Sequence, residues 1–349
     1  FALLRGVIDC IQDNSPYIYI EDEKVTIPTG LLVEKWLLYY YPIFESATFI
    51  PQINGKSKLA FEIQFLNLIQ QYQTRGGFSA FYNDLKSKGI PTDVQTDFFQ
   101  LAKTIRNTIT TMPMKYIGRS FSDTYYAIFN YENTLLKKGT SMDIERLIHE
   151  FGTFTIPLEY YEAFKILGSF ISGQDSILFK WAEFSVTASK NSVGIDKVLH
   201  EVLKSPIEKR DSEASKELYG SILKKVGNVR CVWTGKKINM VSEMNIDHVI
   251  PFSIWKNNDL WNLLPALSKV NGNKLDKIPS PEIIEKQRNQ IIEYWEIVYE
   301  QQSQRFQKEI QVALLGNNSF ENWKHTGISQ LQNRCNYLIE SRGFEAWNI

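Results

Sequence analysis

The chain has 349 residues, of which 43% are apolar and 13% aromatic, so it can bury at least one full core, and its length suggests two domains. This composition excludes a disordered or fibrous protein. Its 39 Lys and Arg residues balance 39 Asp and Glu residues. That balance excludes attraction of the whole molecule to nucleic acid or anionic lipid, so polyanion binding would need a local patch.

The cysteines and the apolar runs indicate the compartment. Cys10, Cys231 and Cys335 are far apart and form no C-x-x-C pair, which argues against a disulfide framework and a four-cysteine zinc site. No window holds about 18 uninterrupted apolar residues, the length that a membrane-spanning helix needs. The opening FALLRGVIDCIQ lacks Met and carries Arg5 and Asp9, so we expect a truncated helix rather than a signal peptide. We therefore expect a soluble, cytoplasmic protein with no membrane partner.

The first two thirds of the chain are predicted to be mainly helical. Apolar residues recur at three- and four-residue intervals in LLVEKWLLYYYPIF, AFEIQFLNLIQQYQ and DFFQLAKTIRNTI. A small sheet interrupts these helices, since YIYIEDEKVTIPTG is typical of a hairpin and GTFTIP of a short strand. These patterns predict a helical domain with a small sheet over residues 1–204.

The pattern changes from about residue 226. Two short β-type segments, VRCVWTG and MNIDHVI, precede a polar loop and a helix candidate, LWNLLPALSKVNGNK, after which the helical pattern returns. Asn271 and Gly272 could instead form a hairpin turn, but we favour the helix because LLPALSKV leads into them without strand alternation. The fold class predicted from these patterns is α+β, predominantly α.

The segment around His248 offers the groups that phosphodiester hydrolysis needs: a base, hard oxygen ligands for a cation, and a donor to phosphate. The polar residues of interest are Asp247, His248, Asn262, Asn271 and Lys274. In a regular strand Asp247 and His248 would point to opposite faces, so we expect the strand to end or bulge there. Asn271 and Lys274 would share one face of a helix.

These residues stand in a run, IDHVIPFSIWKNNDLWNLLPALSKVNGNKLDKIPS, that resembles the HNH, or ββα-metal, nuclease family. It is most similar to the HNH domain of RNA-guided CRISPR effector nucleases. The resemblance implies that His248 is the general base and that Asp247 and Asn271 are catalytic residues holding one Mg²⁺ or Mn²⁺ per active site. It also implies that Asn262 supports the loop and that Lys274 contacts the phosphate.

The resemblance covers roughly residues 228–281 and implies a three-part organisation. A helical recognition or regulatory domain, residues 1–204, would precede an HNH nuclease domain, residues 205–290, and a helical extension, residues 291–349. The implied activity is metal-dependent endonuclease cleavage of DNA. The flanks resemble uncharacterised bacterial HNH proteins of phage-defence systems, which implies a role in anti-phage defence or restriction.

An alternative function is a nuclease or binding subunit that acts only within a multiprotein or nucleic-acid-guided assembly. The neutral net charge and the large helical portion favour this alternative. A protein partner or an activating ligand would then act through the N-terminal domain.

Two features depart from common HNH patterns. Many members hold a structural zinc ion with paired cysteines, whereas here Cys231 is followed by Thr234, and the later positions hold Leu267 and Val270. We therefore expect no structural zinc. Asn271 stands where many members have histidine, which bears on metal-ligand strength rather than on activity.

A local basic patch precedes the motif. Its members are Lys224, Lys225, Arg230, Lys236 and Lys237, with no acidic residue among them. It could be a solvated helix end and turn or a contact to a phosphate backbone, and the residues favour neither.

Overall fold

The structure is a computed structural model that describes residues 1–53, 58–117, 127–132, 134–137, 141–172, 177–207 and 209–348. Its contacts divide the chain into two compact units, Phe1–Pro206 and Ile207–Ile349. The three-part division expected from the sequence stays a prediction. No helix of the described part is long and apolar enough to cross a membrane.

The first unit is a helical body with one small sheet. Its helices and strands are α1 (Ala2–Gln12), β1 (Tyr19–Glu21), β2 (Lys24–Pro28), α2 (Thr29–Glu45), α3 (Glu62–Gln73), α4 (Gly77–Asn83), α5 (Gln95–Thr111), α6 (Pro113–Tyr116), β3 (Asn130–Glu132), α7 (Ile144–Glu150), β4 (Thr153–Pro157), α8 (Leu158–Ser172), α9 (Ile177–Ala188) and α10 (Ile195–Val202), with a π-helical turn at Asp84–Lys88. This order confirms the helices and the hairpin predicted for this region.

Helix α2 is the centre of the first unit and packs against α1, α5, α7 and α10. It is apolar or aromatic around most of its circumference, which is typical of a helix enclosed by others. The antiparallel sheet has the order β1-β2-β4-β3, with Ile27 opposite Phe154 at its buried centre.

The second unit places the HNH-like segment among helices. Its regular elements are α11 (Glu213–Val226), β5 (Val229–Arg230), β6 (Lys237–Ile238), β7 (Met244–His248), β8 (Leu263–Leu267), α12 (Ser268–Lys274), β9 (Ile278–Pro279), α13 (Pro281–Lys286), α14 (Arg288–Gln301), α15 (Ser303–Ile310), α16 (Trp323–Asn336) and β10 (Ala346–Trp347). Short 3₁₀ turns lie at Val241–Glu243, Leu260–Asn262 and Phe320–Asn322, and π-helical turns at Gln311–Leu315 and Tyr337–Ser341.

The prediction of one helix over LWNLLPALSKVNGNK is wrong in its first half, because LLPAL forms strand β8, antiparallel to β7. Leu263, Leu264, Pro265 and Ala266 are all buried, so the strand has no polar face to produce alternation. Pro265 has no N–H to donate, and its carbonyl accepts a hydrogen bond from the Val232 N–H at 2.9 Å.

Two other expectations for this segment are confirmed. Strand β7 ends at His248, and the Asn271-Gly272 pair lies inside helix α12 rather than in a hairpin turn. The pattern of two strands and a helix is therefore formed by β7, β8 and α12, while β5 and β6 make a separate short hairpin.

Tryptophan side chains fill the core of the second unit. Trp233, Trp261 and Trp295 are fully buried, and the Trp295 indole N–H donates to the Trp261 carbonyl at 2.8 Å. Strand β10 pairs in parallel with β9, which brings Trp347 edge-on to Trp233 at 5.4 Å between ring centroids. The end of the chain thus supports the turn that carries Trp233.

Gly30 at the start of α2 provides a test of packing in the first unit. A Cβ at this position would lie 1.8 Å from the Leu147 carbonyl oxygen of α7, a backbone atom that has little freedom to move. We expect Gly30→Ala to lower the free energy of unfolding by about 1–3 kcal/mol. Urea denaturation followed by circular dichroism measures this loss. Gly220→Ala is the control, because a Cβ there meets nothing within 4 Å and alanine favours the helix. Equal stability of the two variants would contradict the close α2–α7 contact.

Candidate active site

Asp247 and His248 lie at the end of β7, where the strand changes to a loop. Both are buried, with exposed fractions of 2% and 1%. Helix α12 packs against this strand and brings Lys274 to it. Asp247, His248 and Lys274, three of the residues singled out in the sequence, therefore lie together at the end of the strand.

The Asp247 carboxylate is held by two donors. Its Oδ2 accepts from the Trp233 indole N–H at 2.6 Å, and its Oδ1 accepts from the Lys274 ammonium at 3.1 Å. Burial raises the pKa of Asp247, while the charge of Lys274 and the bond from Trp233 lower it. Both partners only donate, so both oxygens act as acceptors, and the Lys274 ammonium favours the charged carboxylate.

Lys274 is fully buried and is shared between the two residues of the strand end. Its ammonium donates to Asp247 and, at 2.6 Å, to the backbone carbonyl of His248. It also lies 5.8 Å from the centre of the Trp233 ring. The Lys274 amino group therefore lies in the core, in contact with Asp247 and the His248 backbone. The contact to phosphate expected from the sequence stays a prediction.

Both ring nitrogens of His248 have partners. Nδ1 lies 3.1 Å from an Arg210 guanidinium nitrogen, and Nε2 lies 3.1 Å from Oδ1 of Asn258. Burial lowers the pKa of His248 to about 4, and the charges of Arg210 and Lys274 act in the same direction, opposed by the bond to Asn258. The imidazole is therefore neutral at pH 7, the form that a general base requires.

Asn262 ties the loop after the strand to the hairpin. Its Oδ1 accepts from the Ile250 N–H at 2.8 Å, and its Nδ2 donates to the Ile250 carbonyl at 3.1 Å. The Asn262 carbonyl accepts from the Val249 N–H at 2.9 Å. This geometry agrees with the loop-supporting role that the resemblance implies, which remains a proposal.

Asn271 is half-buried and precedes Lys274 by one helical turn, so both project from the same side of α12. Among the described residues no group of three or more His, Cys, Asp or Glu side chains is placed to hold a metal ion. An ion here would depend on the Asp247 carboxylate, the Asn271 amide oxygen and further oxygens from water or substrate. That set of hard oxygen donors fits Mg²⁺ or Mn²⁺.

A polar network supports the loop that carries Asn258. Glu309 of α15 accepts from the Leu260 N–H at 2.7 Å and pairs with Arg305 at 2.6 Å, and Arg305 also reaches the Asn258 carbonyl at 3.4 Å. Burial raises the pKa of Glu309 to about 8, with a further increase from the charge of Asp259 and an opposing effect from Arg305.

The sequence reasoning did not identify Arg210, Trp233 or Asn258 as residues of the site. Arg210 is 38 positions before His248 and belongs to no motif, so nothing local indicates its contact. Trp233 is an apolar aromatic residue that belongs to the core, and from within that core its indole N–H donates to Asp247. The pair Asn257-Asn258 in the polar loop was the one available signal, because asparagine favours such turns.

Comparison with known proteins agrees with the geometry. Residues 231–280 match the family described as HNH endonuclease, and 70 residues are 33% identical to the CRISPR-associated endonuclease Cas9 of Streptococcus mutans. The second unit thus contains an HNH domain resembling that of Cas9. The match covers 20% of this chain and only 5% of that protein.

The larger part of the chain has a different relationship. Residues 1–203 match the model of a family described as a domain of unknown function (DUF8808), and the chain belongs to that family. No solved structure matches the chain.

The buried Asp247–Lys274 pair leads to a stability prediction. Lys274→Met leaves a buried carboxylate without its cation, so we expect the free energy of unfolding to fall by about 3–5 kcal/mol. The double variant Asp247→Asn, Lys274→Met removes both charges and should recover most of this loss, as measured by urea denaturation followed by tryptophan fluorescence. Lys277→Met, which breaks only the surface pair with Glu345, should change stability by about 1 kcal/mol or less. Equal losses in the single and double variants would contradict a dominant charge pair.

Glu309 leads to a prediction about pH. Because its pKa is higher in the folded protein, the folded state binds the proton more tightly, and this contribution to stability is lost as pH rises towards 8. We expect Glu309→Gln, which keeps an acceptor for Leu260, to lose less stability than the wild type between pH 5 and 8. The difference is at most about 1.4 kcal/mol per pH unit. Urea midpoints of both proteins at several pH values measure it, and parallel curves would contradict the raised pKa.

Proposed function

We propose that this chain is a metal-dependent HNH endonuclease that hydrolyses DNA phosphodiester bonds. The observation that carries this proposal is the strand end where a neutral His248 adjoins the Asp247 carboxylate. Asn271 supplies a second hard oxygen donor from α12. A base beside a cation site is the arrangement that phosphodiester hydrolysis needs.

His248 acts as the general base through Nδ1. Its Nε2 faces the Asn258 amide oxygen, which accepts only, so Nε2 carries the proton and Nδ1 carries the lone pair. Nδ1 takes one proton from water as the water oxygen bonds to phosphorus. The bond from phosphorus to the 3′ oxygen breaks, and that oxygen takes a proton from solvent, which leaves a 5′-phosphate and a 3′-hydroxyl.

Asp247 and Asn271 are the residues that would hold a divalent cation, with Mg²⁺ or Mn²⁺ favoured by their oxygen donors. When bound, the cation would neutralise negative charge on the phosphate in the transition state. Trp233 and Lys274 fix the carboxylate in one orientation, and the Asn262 side chain holds the following loop.

The similarity to Cas9 and the surface charge support a proposal for the substrate and the setting. Lys224, Lys225, Arg230, Lys236 and Lys237 are all exposed, on α11 and the β5–β6 hairpin, and can contact a phosphate backbone. We place the activity in anti-phage defence or restriction in the bacterial cytoplasm. The alternative, a subunit active only in a multiprotein or nucleic-acid-guided assembly, is supported by the neutral net charge and by the large first unit, which would bind the partner or activating ligand.

A cleavage assay on plasmid DNA tests the proposal. We expect cleavage with Mg²⁺ or Mn²⁺ and none with EDTA, and we expect His248→Ala to lower the rate by about 10²–10⁴ because a positioned base contributes that factor. Asn271→Ala should instead raise the metal concentration needed for half-maximal rate. The control is His325→Ala, on α16, which lies outside the site.

The results of the cleavage assay distinguish the proposed base, the substrate class and the alternative of an assembly subunit. Cleavage by folded His248→Ala at the wild-type rate would contradict the assigned base. Preference for an RNA of the same sequence would change the substrate class. Inactivity of the wild-type protein on any nucleic acid, with activity restored by a partner, would favour the subunit.

A further inference from the structure

Arg210 belongs to a short segment that lies over His248, and residues 209–211 are here called the strap. The strap is exposed and begins two residues after the start of the second unit. One nitrogen of the Arg210 guanidinium lies 3.1 Å from Nδ1 of His248. The middle residue of the strap therefore places a cation directly on the ring atom proposed to serve as the base.

The hydrogen-bond partners determine which nitrogen carries the lone pair. Asn258 Oδ1 accepts from the Asp211 N–H at 3.1 Å, and Asn258 Nδ2 donates to the Lys209 carbonyl at 3.0 Å. A backbone N–H donates only and a carbonyl accepts only, so the amide has one orientation. Its oxygen faces His248 Nε2, which must carry the proton.

The guanidinium is a pure donor, so the Nδ1 lone pair accepts its hydrogen bond. His248 is 1% exposed, and its only lone pair is occupied. Water cannot approach Nδ1 while Arg210 stays in this position. The free protein thus presents a base of the correct tautomer whose reactive atom is covered.

The covering group is suited to the substrate. Within the described part of the chain no carboxylate forms an ion pair with Arg210, although its charge lowers the pKa of Asp247. A planar guanidinium binds phosphate through two parallel hydrogen bonds, which are stronger than one bond to a neutral imidazole. A phosphodiester entering the site therefore competes with His248 for this side chain.

We propose that Arg210 is a phosphate-binding residue that covers His248 in the free protein, and that an incoming phosphodiester draws it away and exposes the base. This inference rests on the nuclease function proposed above. Asn258 acts as the positioning residue, because it joins both ends of the strap and holds the protonated nitrogen of His248.

Whether Arg210 covers His248 is tested without DNA or metal. Diethyl pyrocarbonate modifies accessible imidazole nitrogens, and mass spectrometry can follow His248 separately from the other three histidines. We expect Arg210→Ala to raise the modification rate of His248 by about tenfold, since a hydrogen bond from a charged group is worth at least that factor. The control is Lys209→Ala, which removes a neighbouring cation of the strap and keeps the backbone carbonyl that Asn258 bonds. Its rate should equal that of the wild type.

Phosphate binding is tested with a labelled DNA duplex and with cleavage kinetics. In EDTA, Arg210→Ala should reduce the slope of log Kd against log salt concentration by about one, as expected for the loss of one phosphate contact. With metal, its kcat should fall by about 10²–10³, as for loss of one donor to the transition state. Arg210→Lys, which keeps the charge, should recover part of kcat, and Lys209→Ala should keep the wild-type kcat.

Unchanged modification of His248 in Arg210→Ala, or an equal rise in Lys209→Ala, would show that Arg210 does not cover the base. Equal kcat values and salt dependence for Arg210→Ala and the wild type would show that it does not bind phosphate. A wild-type protein that cleaves nothing would refute the nuclease function instead, and the modification and binding experiments would still report on Arg210.

Discussion

The buried contact between Asp247 and Lys274 is the interaction on which the rest of the site depends. A carboxylate and an ammonium with almost no exposed area are stable only when paired and further hydrogen-bonded. The pair therefore holds α12 against β7, and the remaining bonds of the two groups reach Trp233 and the His248 carbonyl. The orientation of the strand end is thus set by charge pairing inside an apolar core.

His248 and the loop that follows it are held by hydrogen bonds between neutral groups and by one cation, Arg210. Asn258 bonds the Lys209 carbonyl and the Asp211 N–H, and Asn262 bonds both backbone groups of Ile250, so two neutral amides fix these segments. The three cysteines are free and buried and act as apolar residues. Tryptophan packing and the Glu309–Arg305 pair give the support that a small motif needs.

Much of the fold followed from periodicity. Helices α3 and α5 have the three- and four-residue repeats that burial on one face produces, and the β1–β2 hairpin has β-branched and aromatic residues around a charged centre. Strand β8 was missed because both its faces are buried, so its sequence has no repeat that separates it from a helix. The pairing partner, β7, decides its conformation, and the paired residues of β7 lie 15 to 23 positions earlier in the chain.

The sequence by itself determined that the chain carries an HNH motif, because the spacing of Asp247, His248 and Asn271 is a local property of one segment. Only the tertiary structure decided that Lys274 contacts the Asp247 carboxylate and that Arg210 contacts the His248 ring. Burial and contact depend on elements distant in the chain. A lysine or arginine in the sequence gives no indication of whether it will face solvent, a carboxylate or an imidazole. The physical reason is that desolvation and hydrogen-bond geometry exist only once the chain has folded.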